Sequence, residues 1–448
     1  MNLFLKYNNL QANCNFINEK LHNHMQKFLF YAECTVLKLI DPLSYKRKLA
    51  KKYFLKIGLP NLLGEAWKYT NIKKNIKNCF NLAINANFRK LHYNKIAINI
   101  NAHRLVFIDG VFYPNFSSLN KLNNGVYIKT LSSFLASGNC PKWIGDFSKS
   151  TTIFNALNLL FTGQGVVINI ASNYIVDKPI YILYISRENN IAIMSNPHIL
   201  IYSDKNSKAN IIEHYVGEEN SKNFINVVTE AWLNTNAHIS HYKIQESGNK
   251  ESHIANIQVH QGKNSSFNSH NLNIGSGALT RNDINVELNG KNSKTNLMGL
   301  FIGSGYQQID NHTIINHNVP YTYSNEHYKG ILNNYAHCVF NGRVYIKRGA
   351  QKVVAYLKND NILLSNNCEI YTKPELEIYA NDVNCSHGAT TGQIDKNSLF
   401  FLQTRGIAKK QAQMLLMLGF IREILKSVNI YKIAEHVECI VGKVLKFN

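Results

Sequence analysis

Four polar turns of similar chemistry recur at nearly equal steps in the middle of this chain, and that spacing limits the folds open to it. KNSKAN begins at Lys205, LNTNAH at Leu233, KNSSFN at Lys263 and KNSKTN at Lys291, giving steps of 28, 30 and 28 residues. Each turn is preceded by a strand-like run (ILIYS, VVTEAW, IQVH, INVEL) and followed by another (IIEHYV, ISHYKI, SHNLNI, LMGLFI). A near-constant period of strand, turn, strand lets each coil bury its inward side chains against the coils above and below, as a β-solenoid requires. A sandwich with evenly spaced hairpins is the alternative. Recurrence of the same turn chemistry at the same interval favours the solenoid.

The flanks read as helical. SYKRKLAKKYFLKIGLP places Tyr45, Leu49, Tyr53 and Ile57 on one face at four-residue steps, and Gly58 and Pro60 signal a stop. MQKFLFYAECTVLKLI before it is apolar on more than one side and is expected to pack against it. In RLVFIDGVFYP, Asp109-Gly110 between β-rich runs predicts a hairpin turn, and IFNALNLLF (153–161) predicts one short helix. After Asn397, Arg405-Gly406 breaks a helical pattern that resumes near Ala408. A last helix carries Ile430, Ile433, Val437, Ile440, Val441 and Val444 along one stripe. These helices either seal the solenoid end or form a docking module. The expected organisation is a helical region over 1–100, a β-solenoid core over 101–395 and a helical region over 396–448.

Composition excludes several classes. No apolar run in the 448 residues reaches the roughly 18 needed to span a bilayer. The start, MNLFLKYNNLQANCNF, is too polar for a secretory signal, so the cytoplasm is the expected compartment. The eight cysteines show no C-x-x-C, which argues for free thiols and against a zinc ribbon or a cluster held by this chain's cysteines alone. A formal charge of +21 invites a nucleic-acid reading. Only nine of the 49 basic residues are Arg, however, and the Lys are scattered among Asn with no nucleic-acid-binding signature, so specific nucleic-acid binding is not expected. No Walker loop, dinucleotide fingerprint, nucleophile elbow or H-E-x-x-H is present. Energy for any driven process must then come from a partner.

Chemistry concentrates in YANDVNCSHGATTGQ (379–393). On a strand, Cys385 and His387 at i and i+2 share a face. Thiolate and imidazole suit iron or zinc, and two of them make half a coordination site, with the remaining ligands supplied by another coil or another chain. A Cys–His nucleophile pair is the rival, but neither an orienting group nor an oxyanion hole is visible. A buried Cys beside a surface His is the reading with no function attached. His312 and His317, five apart, fall on opposite faces of a strand and are weak evidence for a metal.

Taken in order, NEHYKGILNN, CVFNGRVYIKRGAQ, LEIYANDVNCSHGATTGQID and LFFLQTRGI resemble the SufB/SufD family of iron–sulfur cluster assembly subunits. EAWKYTNI, GALTRNDINVELNG and QQIDNHTIINH match as well. The resemblance runs from about 60 to 427. Cys385-Ser386-His387-Gly388 stands where the SufB branch carries an acidic element, so the chain is similar to the SufD branch.

The resemblance implies a right-handed parallel β-helix flanked by helices and a non-catalytic scaffold role with a part in iron acquisition. It implies a SufB-like paralogue as heterodimer partner and a SufC-like ATPase at the C-terminal helices. His387, and more weakly Cys385, become candidate ligands for transient iron or a nascent cluster shared with SufB. Arg405, Gly406, Met414, Leu415 and Leu418 become candidate ATPase contacts, with self-packing onto the solenoid as the alternative for the three apolar ones. Reduced flavin in the complex is compatible with the resemblance, and a free sheet edge allows a homodimer when the chain is alone. The competing class is an extracellular-type β-helix enzyme acting on polysaccharide, which needs clustered carboxylates; the chain has 28 acidic residues in all and no recognisable secretory signal.

Overall fold

The computed structural model describes residues 42–444 apart from 61, 73–75, 77–79, 83–95, 120–123, 142, 146–151 and 276. The apolar stretch 25–40 lies outside the described residues. The first strands are β1 (Asn81–Leu82), β2 (His103–Ile108), β3 (Val111–Phe112), β4 (Val126–Thr130), β5 (Gly165–Ile170), β6 (Ile180–Ser186), β7 (Ile193–Ser195) and β8 (His198–Ser203). A regular series follows: β9 (Lys208–Gly217), β10 (Phe224–Leu233), β11 (His238–Glu246), β12 (Ser252–Gln261), β13 (Ser266–Gly275), β14 (Leu279–Leu288) and β15 (Lys294–Gly303). It ends with β16 (Gln308–His317), β17 (Tyr323–Leu332), β18 (His337–Ile346), β19 (Val353–Leu363), β20 (Glu369–Ile378) and β21 (Val383–Gly392). Six helices accompany them among the described residues: α1 (Ser44–Ile57), α2 (Leu131–Ala136), α3 (Ile153–Phe161), α4 (Lys396–Thr404), α5 (Lys409–Leu425) and α6 (Tyr431–Val444).

From β8 and β9 onward, successive strands alternate between two sheets and pair in parallel with the strand one coil away. One sheet runs β20-β18-β16-β14-β12-β10-β8-β5-β4 and the other β21-β19-β17-β15-β13-β11-β9-β6-β2-β3. This is a parallel β-solenoid with helices at both ends of the chain. Its N-terminal end finishes in antiparallel strands, β3 on β2 and β4 on β5, with Asp109 and Gly110 at φ 48° and 84° making the expected hairpin turn.

The turn chemistry explains the repeat. Asn206, Asn236, Asn264 and Asn292 each hold φ between 56° and 60°, a left-handed conformation that asparagine tolerates better than other residues bearing a side chain. Their amides form a ladder: Nδ2 of Asn206, Asn236, Asn264 and Asn292 donates to Oδ1 of the preceding coil's Asn173, Asn206, Asn236 and Asn264 at 2.7, 2.7, 2.9 and 3.1 Å. The coil steps are therefore 30, 28 and 28 residues; the second turn is anchored at Thr235, two residues after the start read from LNTNAH. Tyr321 and Lys352 take the same left-handed position in the next coils, so the repeat fades there in sequence while continuing in space. Asn264→Val is expected to destabilise the chain by about 2 kcal/mol, since it forces a β-branched residue into the left-handed region and breaks the ladder on both sides. Asn264→Gly should lose less, and urea unfolding midpoints would show the difference.

Three apolar clusters hold the molecule together. One fills the solenoid interior, with Ile211, Ile239, Phe267, Leu297, Phe301, Cys338 and Leu357 among its members. A second packs Leu43, Phe54, Phe154, Leu157 and Leu160 onto the outer face of the first sheet, through Leu200, Phe224, Ile254 and Leu279. The third packs Met417, Ile421, Ile424, Ile433, Val437 and Val441 onto the outer face of the second sheet, through Ile212, Tyr242, Ile244, Leu272, Leu300 and Ile331. The C-terminal helices thus cover a flank and do not seal the solenoid end. The stripe expected on α6 is the one buried. On α1 the buried residues are Arg47, Ala50 and Phe54, while Tyr45, Leu49 and Ile57 are exposed. Four-residue steps drift about 40° per step around a 3.6-residue helix, so that stripe winds off the buried face.

Candidate functional site

The two sheets end on β20 and β21, whose outer edges pair with no strand among the described residues. Ten residues of β21, VNCSHGATTG, carry no Asp, Glu, Lys, Arg or Pro. Edge strands usually deter pairing with charges, prolines or bulges, and β21 has none of these devices. Its partner strand β19 sets the direction of each side chain. Cys385 lies opposite Ala355 and His387 opposite Leu357, and both partners are buried in the solenoid interior. Cys385 and His387 therefore share the inward-facing side of the last coil, as the i, i+2 spacing predicts.

No further coil covers that side among the described residues. Val383 and Cys385 are half-buried against the interior cluster and His387 is exposed. Burial raises the Cys385 thiol above its ordinary value. A thiol held protonated is a poor ligand until a metal displaces the proton. Of the two donors, His387 is the one open to solvent. Large apolar side chains are also exposed on the last coils: Tyr371, Ile378 and Tyr379 are 38, 40 and 58% exposed.

The residues read as ATPase contacts form a different surface. Arg405 and Gly406 end α4, with Gly406 at φ 84° making the turn, and Arg405 lies 5.1 Å from the centre of the Phe401 ring. Met414 and Leu418 pack partly into the cluster beneath α5, while Leu415 points outward and is 50% exposed. Sequence reasoning missed Phe400 and Phe401, 68 and 56% exposed on a helix with no buried residue. Two exposed phenylalanines on an element with no packed face are the signal that would have found them.

Three of the sequence motifs converge on one structural knot. Arg281 of GALTRNDINVELNG stacks 4.0 Å from the Trp67 ring of EAWKYTNI, donates to Ala66 O at 2.8 Å and pairs with Asp283 at 2.8 Å. Asp310 of QQIDNHTIINH accepts from Thr70 and from Arg281. The knot clamps the segment after α1 onto the first sheet. His312 faces outward beneath it and His317 faces inward against Thr322 and Ser324, on opposite faces as expected.

The class defined by these features is a parallel β-solenoid with helical flanks and an uncovered terminal coil bearing a thiol and an imidazole. The chain's residues 184–420 match the SufBD core domain of the SUF system for FeS cluster assembly, and residues 20–182 match the SufBD N-terminal region. It is 29% identical over 404 residues to an iron–sulfur cluster assembly SufBD family protein of Synechocystis, covering 86% of this chain and 87% of that one. It is 27% identical over 376 residues to the iron–sulfur cluster assembly protein SufD of Escherichia coli, covering 84% and 86%. A chloroplastic protein of Arabidopsis thaliana, ABCI7, is 28% identical over 71% of this chain and 65% of its own length. The chain belongs to the SufBD family, and its role lies in iron–sulfur cluster assembly. No helix among the described residues is long and apolar enough to cross a membrane.

Proposed function

We propose that the chain is the non-catalytic scaffold subunit of a SufBCD-type assembly complex. In this reading β21 pairs with a SufB-like paralogue, and His387, with Cys385 beside it, contributes ligands to iron or a nascent cluster whose other ligands come from that partner. The observation that carries the reading is the uncharged, unpaired β21 edge with both donors on its inward side. Half a coordination site on a strand built to pair is chemically complete only across an interface. The C-terminal helices present Phe400, Phe401 and Leu415 to a SufC-like ATPase, which supplies the energy that this chain has no loop to harvest. In this reading the chain works in the cytoplasm.

The test is the mass, by light scattering after size exclusion, of the full chain co-expressed with a SufB-like and a SufC-like partner. A complex holding one copy of this chain, one SufB and two ATPases supports the reading; a chain that elutes alone defeats it. Phe401→Asp with Leu415→Asp is expected to release the ATPase nearest this chain while SufB stays bound. Both side chains are more than half or half exposed, so the isolated chain should change in stability by only about 0.5 kcal/mol per site. Retention of two ATPases in the double variant would place the docking surface elsewhere.

A further inference from the structure

The outer face of the second sheet carries a cluster that the cluster-assembly reading does not use. His214 on β9 and Glu246 on β11 project from neighbouring coils toward α6, and His436 of α6 reaches down to meet them. His214 Nε2 lies 2.9 Å and His436 Nε2 2.5 Å from the same Glu246 oxygen, Oε1. The ligand-capable atoms of the three residues all lie within 4.8 Å of one another, the one group of three His, Cys, Asp or Glu so placed among the described residues. Bonds of 2.0–2.1 Å in a tetrahedral site put ligand atoms about 3.3 Å apart, so small rotamer adjustments would seat an ion between them.

Two further features prepare the site. His214 Nδ1 lies 2.7 Å from the Tyr181 hydroxyl, and the Ile98 amide donates to that same hydroxyl at 3.1 Å. A histidine that binds metal through Nε2 keeps its proton on Nδ1 and gives it to an acceptor, and the Tyr181 oxygen stands where that acceptor must be. The pairing of β11 with β13 also shifts register between Gln245 and Glu246, so that Glu246 faces Gly275. Register irregularities of this kind re-aim side chains next to functional sites. The site is reachable: the His214 side chain is fully buried, but Glu246 and His436 keep 16% and 23% of theirs exposed.

We propose that His214, Glu246 and His436 bind a divalent transition-metal ion of borderline softness, zinc or iron(II), which staples the last helix to the solenoid. Two imidazoles and one carboxylate suit these ions and leave a coordination position open to solvent on the α6 side. The site is independent of the β21 edge: β11 and β21 are five strand spacings apart in their sheet, about 24 Å.

The experiment strips the full-length chain with chelator and titrates it with Co2+, read by its visible d–d absorption, followed by displacement with Zn2+. One saturable equivalent is expected in the unmodified chain and in His387→Ala. His436→Ala and Glu246→Gln should each weaken binding at least about 100-fold, and Tyr181→Phe by about 10- to 100-fold as an outer-shell partner. Glu246→Gln keeps an acceptor oxygen for both histidines, so it decides the matter even where His436→Ala perturbs the helix. Zinc should also raise the thermal midpoint of the unmodified chain and not that of Glu246→Gln. No one-to-one binding, or unchanged affinity in both His436→Ala and Glu246→Gln, overturns the proposal. Binding lost in His387→Ala but kept in those variants moves the ion to the β21 edge and overturns it equally.

Discussion

Glu326→Gln is expected to stabilise the chain by about 4 kcal/mol at pH 8 and to leave it nearly unchanged at pH 4.5. Glu326 points into the solenoid between Leu297 and Leu357 of the adjacent coils, with no exposed surface. Thr313 donates to its Oε1 at 2.6 Å, and its Oε2 has no hydrogen-bond partner among the described residues. Burial pushes its carboxyl up from 4.5 to about 8, the Thr313 hydrogen bond opposing only in part. A carboxyl raised in the folded state is neutral in both states below the unfolded value and loses stability as pH climbs from 4.5 through 8, at about 1.4 kcal/mol per unit. Glutamine keeps the oxygen that Thr313 uses and does not titrate. Urea midpoints of the two proteins at pH 4.5 and pH 8 isolate the effect, because every other titrating group is common to both. Equal differences at the two pH values would show that Glu326 is not the buried acid described.

The contrast with Glu213 shows that partners, not depth, decide the outcome. Glu213 is equally buried in the same interior, and burial is again the largest influence, acting to raise its carboxyl. Here His241 at 3.0 Å, the nearby Lys243 and the Tyr215 hydroxyl at 2.7 Å overcome it and bring the carboxyl down to about 2. The polar band continues along the coils: Lys243 donates to Asn282, and Asn282 donates to Gln245 and Asn311. Such a network is stable only where each charge meets its complement, and Glu326 is the member left with one hydroxyl.

The repeat was legible because a left-handed turn position selects asparagine coil after coil, and one ambiguity followed from the same residue type. Asn234 and Asn236 flank Thr235, and only the coil register shows that Asn236 is the turn residue. The polar interior was not legible. Helices cover the outer face of the second sheet, so Ile211 and Ile212 are both fully buried, although they point to opposite sides. With alternation gone, sequence alone does not say that Glu213 faces inward and His214 outward. The pair Cys385 and His387 was legible because parity on one strand needs no tertiary knowledge. The triad His214, Glu246 and His436 was not, since its third member is 190 residues from Glu246 in the chain. Phe400 and Phe401 were quoted as part of a motif, but only their exposure makes them candidate contacts.

His387→Ala is expected to remove cluster from the assembled complex while leaving its mass unchanged. The side chain is exposed and lies opposite Leu357 across the sheet, so its loss creates no cavity and leaves the β21 backbone, through which pairing is proposed, intact. What it removes, on the proposed reading, is the solvent-exposed ligand of the pair, while the Cys385 thiol, raised by burial, stays in place. Losing a direct ligand should lower cluster-bound iron and sulfide per complex by at least about tenfold, since even outer-shell losses reach that size. Cys385→Ala should lower them less, because the Cys385 sulfur is half-buried against the interior cluster and its thiol is held protonated. Iron and acid-labile sulfide would be measured on complexes matched by light scattering, after anaerobic purification. Full cluster content in His387→Ala would move the ligand set to the partner alone and leave this chain as scaffold only. Loss of both cluster and partner would instead make His387 an interface residue, and the edge, not the ligand, would be what the C-S-H-G element of β21 preserves.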